Sequence, residues 1–190
     1  MINANIDLSN TFLETNRLLI RPWKQSDLQD FYEYAKVDGV GQMAGWTPHA
    51  SIEESQKILR DFIHEKNVFA IQLKENEKVI GSLGLEKLTI DLGEPYTDMT
   101  GREVGYVLSK AYWGRGIMPE AVERVIRFCF EEEHFDFLLC SHNITNEQSR
   151  RVIEKCGFEF VKESSRMRIN GEEAVSRYYV LWNENEKRRL

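Results

Sequence analysis

Between Tyr112 and Ala121 the chain reads Tyr-Trp-Gly-Arg-Gly-Ile-Met-Pro-Glu-Ala, a glycine-bearing turn between a strand-like segment and a long amphipathic helix. Residue types at this spacing could hold an anion. Upstream, Val104, Tyr106 and Val107 give Arg102 to Ser109 the β-branched and aromatic content of a strand; downstream, Val122, Val125, Ile126, Cys129 and Phe130 recur at helical spacing. A helix beginning at Pro119 aims its unpaired N–H groups and positive dipole end at the turn, where Gly114 and Gly116 let a phosphate approach the backbone. Pro119 suits the first helical position, because its missing N–H costs nothing there. A glycine pair alone is weak, and an ordinary strand-to-helix turn is the competing reading. The other pair, Gly39 and Gly41, leads into no clear helix and reads as a loop.

The elements that must position this turn continue beyond it. Phe137 to Ser141 is a compact apolar strand, and Asn146 to Phe158 reads as a short helix with Asn146 as N-cap and Gly157 as left-handed stop. The ordered set Glu103-Val104-Gly105-Tyr106, Trp113 to Gly116, Glu120-Ala121, Asn146 with Ser149, and Lys155-Cys156-Gly157-Phe158 resembles the Gcn5-related N-acetyltransferase (GNAT) superfamily, in the branch of the ribosomal-protein N-acetyltransferases. The matching core covers about residues 100–160. Glu14 to Trp23 resembles that branch's opening strand more weakly.

The resemblance implies a single-domain α/β (α+β) fold over residues 1–190, with a mixed, mostly antiparallel sheet of about seven strands and about four helices. It implies that acetyl-coenzyme A lays its diphosphate on the backbone of Trp113, Gly114, Arg115, Gly116, Ile117 and Met118. The pantetheine arm would run beside Tyr106, Val107 and Leu108, with Asn146 holding the arm, capping its own helix, or both. Arg115, Arg150 and Arg151 could meet coenzyme phosphates or be solvated. Acetyl transfer to an amine needs a base for the ammonium, since an alkyl amine of pKa ~10.4 is almost wholly protonated at neutral pH. Glu103 is the leading choice, against a surface carboxylate or ion-pair partner. The family often supplies a tyrosine as acid for the leaving thiolate, where this chain has Ile153. Ser149 inherits that role, against a hydroxyl bonded to its own helix.

Neither a Gly-x-Ser-x-Gly elbow nor a convincing Cys/His pair is found, so direct attack by the amine in a ternary complex is preferred. By the resemblance the expected acceptor is a protein N-terminus, with a small primary amine as the runner-up. A coenzyme A-binding regulatory module without catalysis is the alternative. His49, His64, His134 and His142 share no metal-ligand spacing, so no metal is expected.

Composition narrows the rest. The 190 residues, 42% hydrophobic, suffice for one domain with a sizeable core. No apolar run approaches the ~20 residues of a membrane span, and Met1 to Asn5 lacks a basic region followed by an apolar block. Three cysteines without Cys-x-x-Cys spacing argue against a disulfide framework, so a reducing cytoplasm is expected. With 31 acidic against 25 basic residues the net charge of −6 disfavours nucleic acid and favours cationic substrates. A homodimer stays open.

Along the chain, Leu18 to Trp23 reads as a strand. A helix follows from Ser26, with a Ser26/Gln29 capping box, to about Val37, and a second box, Ser51/Glu54, opens another helix. The loop between them carries Trp46 and His49, a candidate substrate-side wall. Val68 to Leu73 and Lys78 to Leu88 form a hairpin, an acidic loop spans Asp91 to Asp98, and Asn170-Gly171 signals a type I′ hairpin near the end.

Overall fold

The computed structural model describes residues 1–167 and 173–183. Its strands are β1 (Ile2–Asn3), β2 (Leu13–Glu14), β3 (Leu18–Pro22), β4 (Val68–Leu73), β5 (Val79–Glu86), β6 (Thr100–Leu108), β7 (Phe137–Asn143), β8 (Glu159–Met167) and β9 (Glu173–Trp182). The helices are α1 (Leu28–Ala35), α2 (Val40–Met43), α3 (Ile52–Glu65), α4 (Ile117–Arg127) and α5 (Glu147–Lys155). All nine strands join one sheet in the order β2-β3-β4-β5-β6-β7-β9-β8, with β1 lying parallel beside the start of β6. Pairing is antiparallel except for β1–β6 and β6–β7. The two strands beyond the expected seven are the two-residue pieces β1 and β2, too short to show a period in sequence.

Both faces of the sheet are covered, because alternation along each strand sends side chains to opposite layers. Leu18 and Ile20 of β3 and Val104 and Leu108 of β6 pack with Ile117, Ala121, Val122 and Val125 of α4 and Ile153 of α5. Trp23, Val68, Ala70 and Val79 pack on the other face with Phe31 and Tyr34 of α1 and Leu59 of α3. Each fully buried Leu or Ile contributes about 1.5–3 kcal/mol. A third cluster, Tyr96, Phe137, Leu139 and Tyr178, puts the acidic loop to structural use: the Tyr96 ring stacks on Trp182 at 4.7 Å.

Local signals hold at several ends. Ser51 Oγ accepts the Glu54 N–H at 3.3 Å, while the Glu54 carboxylate takes the Ala50 N–H, one residue earlier than the capping box predicts. Asn146 caps α5 and Gly157 stops it at φ 84°. The Ser26/Gln29 box does not form. A 3₁₀ turn over Gln25–Asp27 precedes α1, and Asp27 accepts the Lys24 N–H at 2.8 Å while both its oxygens bind the Arg21 guanidinium. A buried charged partner on β3 outcompetes the exposed serine. Gly39 to Gly41 is not a plain loop either, since Val40–Met43 makes one helical turn. Asn170 and Gly171 lie outside the described residues.

Candidate active site between the splayed strands

β6 and β7 pair in parallel only from Gly101 to Val104 and Phe137 to Cys140. Beyond that β6 continues along β5 to Leu108, while β7 continues along β9 to Asn143. The two strands therefore part. The Ser109 N–H bonds to Ile80 O on the β5 side, so alternation turns the main-chain groups of Val104, Tyr106 and Leu108 toward the gap. Two of the carbonyls there are already used: the Cys140 thiol donates to Val104 O at 3.2 Å, and the Trp113 indole donates to Leu108 O at 2.8 Å. The Tyr106 and Leu108 N–H groups face the gap as strand donors.

The gap opens into a cavity of about 690 Å³, lined by β6, the end of β7, the turn before α4, the first turn of α4, one side of α5 and α2. At one end is the predicted anion cradle. Gly114 and Gly116 adopt φ 74° and 70°, left-handed values that favour glycine. Gly116 is the N-cap of α4, so the helix starts at Ile117 and Pro119 occupies its third position rather than its first. The consequence for an anion is the same, because the third N–H of a helix is also unpaired. No described residue accepts from the Ile117 or Met118 N–H groups. The Arg115 side chain lies over the Tyr112 ring, 5.2 Å from its centroid, and is not part of the cavity wall.

At the other end sits Glu103, 6% exposed. Its Oε2 accepts from Thr89 Oγ1 at 2.5 Å and its Oε1 from Ser141 Oγ at 2.7 Å. Directly across the strand pair is Glu86. Desolvation lifts the Glu86 carboxyl above its usual range, opposed by the Asn67 amide at 2.9 Å and by Arg102, and reinforced by Glu103. Glu86 is exposed at the cavity rim. Glu86, Thr89 and Ser141 carried no signal in sequence. They become visible only through strand register.

On the opposite face of β6 the Tyr106 phenol meets Ser149, with its oxygen 2.9 Å from Ser149 Oγ and 3.2 Å from Ser149 O. Burial pushes the phenol well above 10, so it is a neutral hydroxyl at physiological pH. Ser149 N–H donates to Asn146 Oδ1 at 3.0 Å, and Asn146 Nδ2 donates to Met43 O at 3.0 Å. Asn146 thus ties α5 to α2 across the cavity. Ser149 is engaged by Tyr106 rather than by its own helix, and Ile153 is buried in the core.

Val107 and Leu108 line the cavity as predicted neighbours of an extended ligand, whereas Trp46 and His49 do not. The Trp46 ring lies on Gly41, where a Cβ would fall 2.2 Å from a ring carbon. His49 is 5% exposed, 2.7 Å from Ser55 Oγ and edge-on to Phe31. Both residues back the wall. Its surface comes from Val40, Gln42, Met43, Ala44 and Gly45. Arg150 is held by Glu147 and Glu154, while Arg151 reaches the cavity edge. No group of three or more His, Cys, Asp or Glu among the described residues is placed to hold a metal. Burial raises the thiols of Cys129 and Cys140, and lifts Cys156 to about 12. No helix among the described residues is long and apolar enough to cross a membrane.

Residues 17–159 match the family model of the acetyltransferase (GNAT) domain. Among curated relatives, the "Probable N-acetyltransferase YjcK" of Bacillus subtilis (strain 168) is 30% identical over 153 residues, 77% of this chain and 78% of its own length. Among solved structures, ribosomal-protein-S5-alanine acetyltransferase from Vibrio fischeri superposes with a TM-score of 0.72 at 23% identity, covering 93% of this chain and 98% of that one. Microcin C7 self immunity acetyltransferase MccE, solved in complex with acetyl-CoA and AMP, superposes with a TM-score of 0.75 at 16% identity over 94% and 99%.

Proposed function

Because this chain belongs to the GNAT acetyltransferase family, we propose that it moves an acetyl group from acetyl-coenzyme A to a primary amine by direct attack in a ternary complex. The observation that carries the reading is one cavity joining a helix N-terminus, a row of free strand donors and a buried carboxylate. The coenzyme diphosphate takes the N–H groups at the start of α4, as anions do at helix N-termini. The pantetheine arm follows the open edge of β6. Bound this way, the coenzyme supplies an activated acetyl group. A β6 N–H facing the gap, that of Tyr106 or Leu108, stabilises the oxyanion that develops when the amine adds; such a donor is worth about 2.7–4 kcal/mol.

Glu103 accepts the amine's proton, directly or through water, as the C–N bond forms. The C–S bond then breaks; the departing thiolate, of pKa ~8.5, accepts a hydrogen bond from Ser149 Oγ, which is paired with Tyr106, and takes up one of the two protons the amine has lost, delivered through water. MccE's complex with acetyl-CoA supports the donor assignment. The name of the Vibrio fischeri neighbour, a ribosomal-protein-S5-alanine acetyltransferase, supports a protein as acceptor. The Glu86–Glu103 pair and the net charge of −6 suit any cationic amine. We take residues 1–190 as a single domain, since every described strand joins one sheet.

The test is incubation with acetyl-coenzyme A and a panel of alkyl amines, amino acids and N-terminal peptides, following free thiol. Thiol release that depends on an acceptor is expected. Tight coenzyme binding with no such release across a broad panel would instead identify a binding module.

A further inference from the structure

The glycine turn that we read as the diphosphate site is gripped from outside by a residue 98 positions earlier in the chain. Arg17 sits in the turn between β2 and β3. Its Nη1 donates to Arg115 O at 2.9 Å, and its Nε and Nη2 reach Glu120 Oε2 at 2.7 and 2.6 Å. The other carboxylate oxygen of Glu120 accepts from Thr15 Oγ1 at 2.5 Å and from the Arg17 N–H at 3.1 Å. Desolvation tends to raise the Glu120 carboxyl, but these donors hold it below the usual carboxylate range.

Two consequences follow from this arrangement. Arg115 O and the Gly116 N–H belong to one trans peptide unit and point in opposite directions. Holding the oxygen toward Arg17 therefore aims that N–H away from Arg17. This peptide rotates about ψ of Arg115 and φ of Gly116, and the missing Cβ of Gly116, at φ 70°, leaves it free to do so unless something fixes it. Rotation would present a carbonyl oxygen to an arriving phosphate. Glu120 is the fourth residue of α4, and a loose carboxylate at a helix N-terminus is drawn to the same free N–H groups that an anionic ligand needs. Arg17 and Thr15 hold it aside and offset its charge.

We propose that Arg17 is a positioning residue for the acyl donor, locking the Arg115–Gly116 peptide and sequestering Glu120 so that the start of α4 stays open to the coenzyme diphosphate. This rests on the diphosphate assignment above. The experiment separates the two: calorimetric binding of coenzyme A and of pantetheine, which lacks the diphosphate, to the full chain and to Arg17→Ala, Arg17→Lys and Arg17→Ala/Glu120→Gln, with thermal melting of each.

The expected result is at least a tenfold loss of coenzyme A affinity in Arg17→Ala with pantetheine affinity unchanged. At least threefold recovery is expected in the double variant, where no stray carboxylate competes. Arg17→Lys keeps the charge but cannot span both partners, so it should fall between wild type and Arg17→Ala. Coenzyme A affinity unchanged in Arg17→Ala, or equal losses for both ligands, overturns the role of Arg17. A wild-type protein that binds pantetheine as tightly as coenzyme A overturns the diphosphate assignment itself.

Discussion

Replacing Glu103 with glutamine removes a negative charge and a proton acceptor while keeping the side chain's size. Thr89 and Ser141 hydroxyls can each donate or accept, so both contacts survive with one reversed. The melting temperature should move by less than about 3 °C, because reversing one hydroxyl keeps both hydrogen bonds and costs a fraction of a kcal/mol. Turnover should respond differently. A positioned general base contributes about 10²–10⁴-fold, and an ammonium about 4 Å from a carboxylate gains about 4 kcal/mol at an effective dielectric of 20. A 10²-fold loss corresponds to about 2.7 kcal/mol, within that bound.

The pH profile carries further information. At pH 7 roughly one alkyl amine in a few thousand is neutral, against roughly one α-amine in ten. The deficit of Glu103→Gln in kcat/KM should therefore be about 10²-fold or more at pH 7. For an α-amine acceptor it should shrink to within about tenfold by pH 9.5, where that substrate is already neutral, and for an alkyl amine it should stay large. Thiol release measured from pH 6.5 to 9.5 with saturating donor reads both. A variant matching wild-type kcat/KM at every pH would falsify the assignment of Glu103 as base.

Four other outcomes are expected. Gly116→Ala, at φ 70°, should cost about 1–2 kcal/mol of stability by thermal melting and weaken donor binding, since an L residue is strained there. Asn146→Ala should lose about 1–2 kcal/mol with its cap; Asn146→Ser should recover stability but lose the amide link to Met43 O, which shows as a raised donor KM. Asp27→Ala strands the buried Arg21 guanidinium and should destabilise by about 3–5 kcal/mol in urea unfolding, more than the double Arg21→Met/Asp27→Leu. Glu120 has a lowered folded-state pKa, so its contribution is complete above the unfolded value of 4.5 and fades as pH falls through the folded value. Acid titration of stability should therefore be shallower in Glu120→Gln than in wild type over that window.

Local chemistry made several parts of this molecule readable in advance. Asn146 and Gly157 bracket α5, Ser51 caps α3, and Gly114 and Gly116 shape the turn before α4, because a cap or a left-handed glycine acts on backbone within a few residues of itself. Pattern placed Glu103 and Tyr106 on one strand. It could not show that Thr89 and Ser141 would close on the first, or Ser149 on the second, since those contacts span 14 to 43 positions and arise from sheet register and helix docking.

Trp46 and His49 show the limit most plainly. Aromatic residues in a loop beside the expected acceptor side suggest a contact surface, yet Gly41 provides the space and Phe31 the neighbour that draw both rings inward. Order and spacing of residues determined the family, the strand and helix types and the left-handed glycine geometry of the turn before α4, all governed by short-range backbone preference. Tertiary structure alone decided where β6 and β7 part, which carboxylate is enclosed, and that Arg17 meets Arg115 and Glu120, because burial and hydrogen-bond pairing between distant segments depend on how the layers pack.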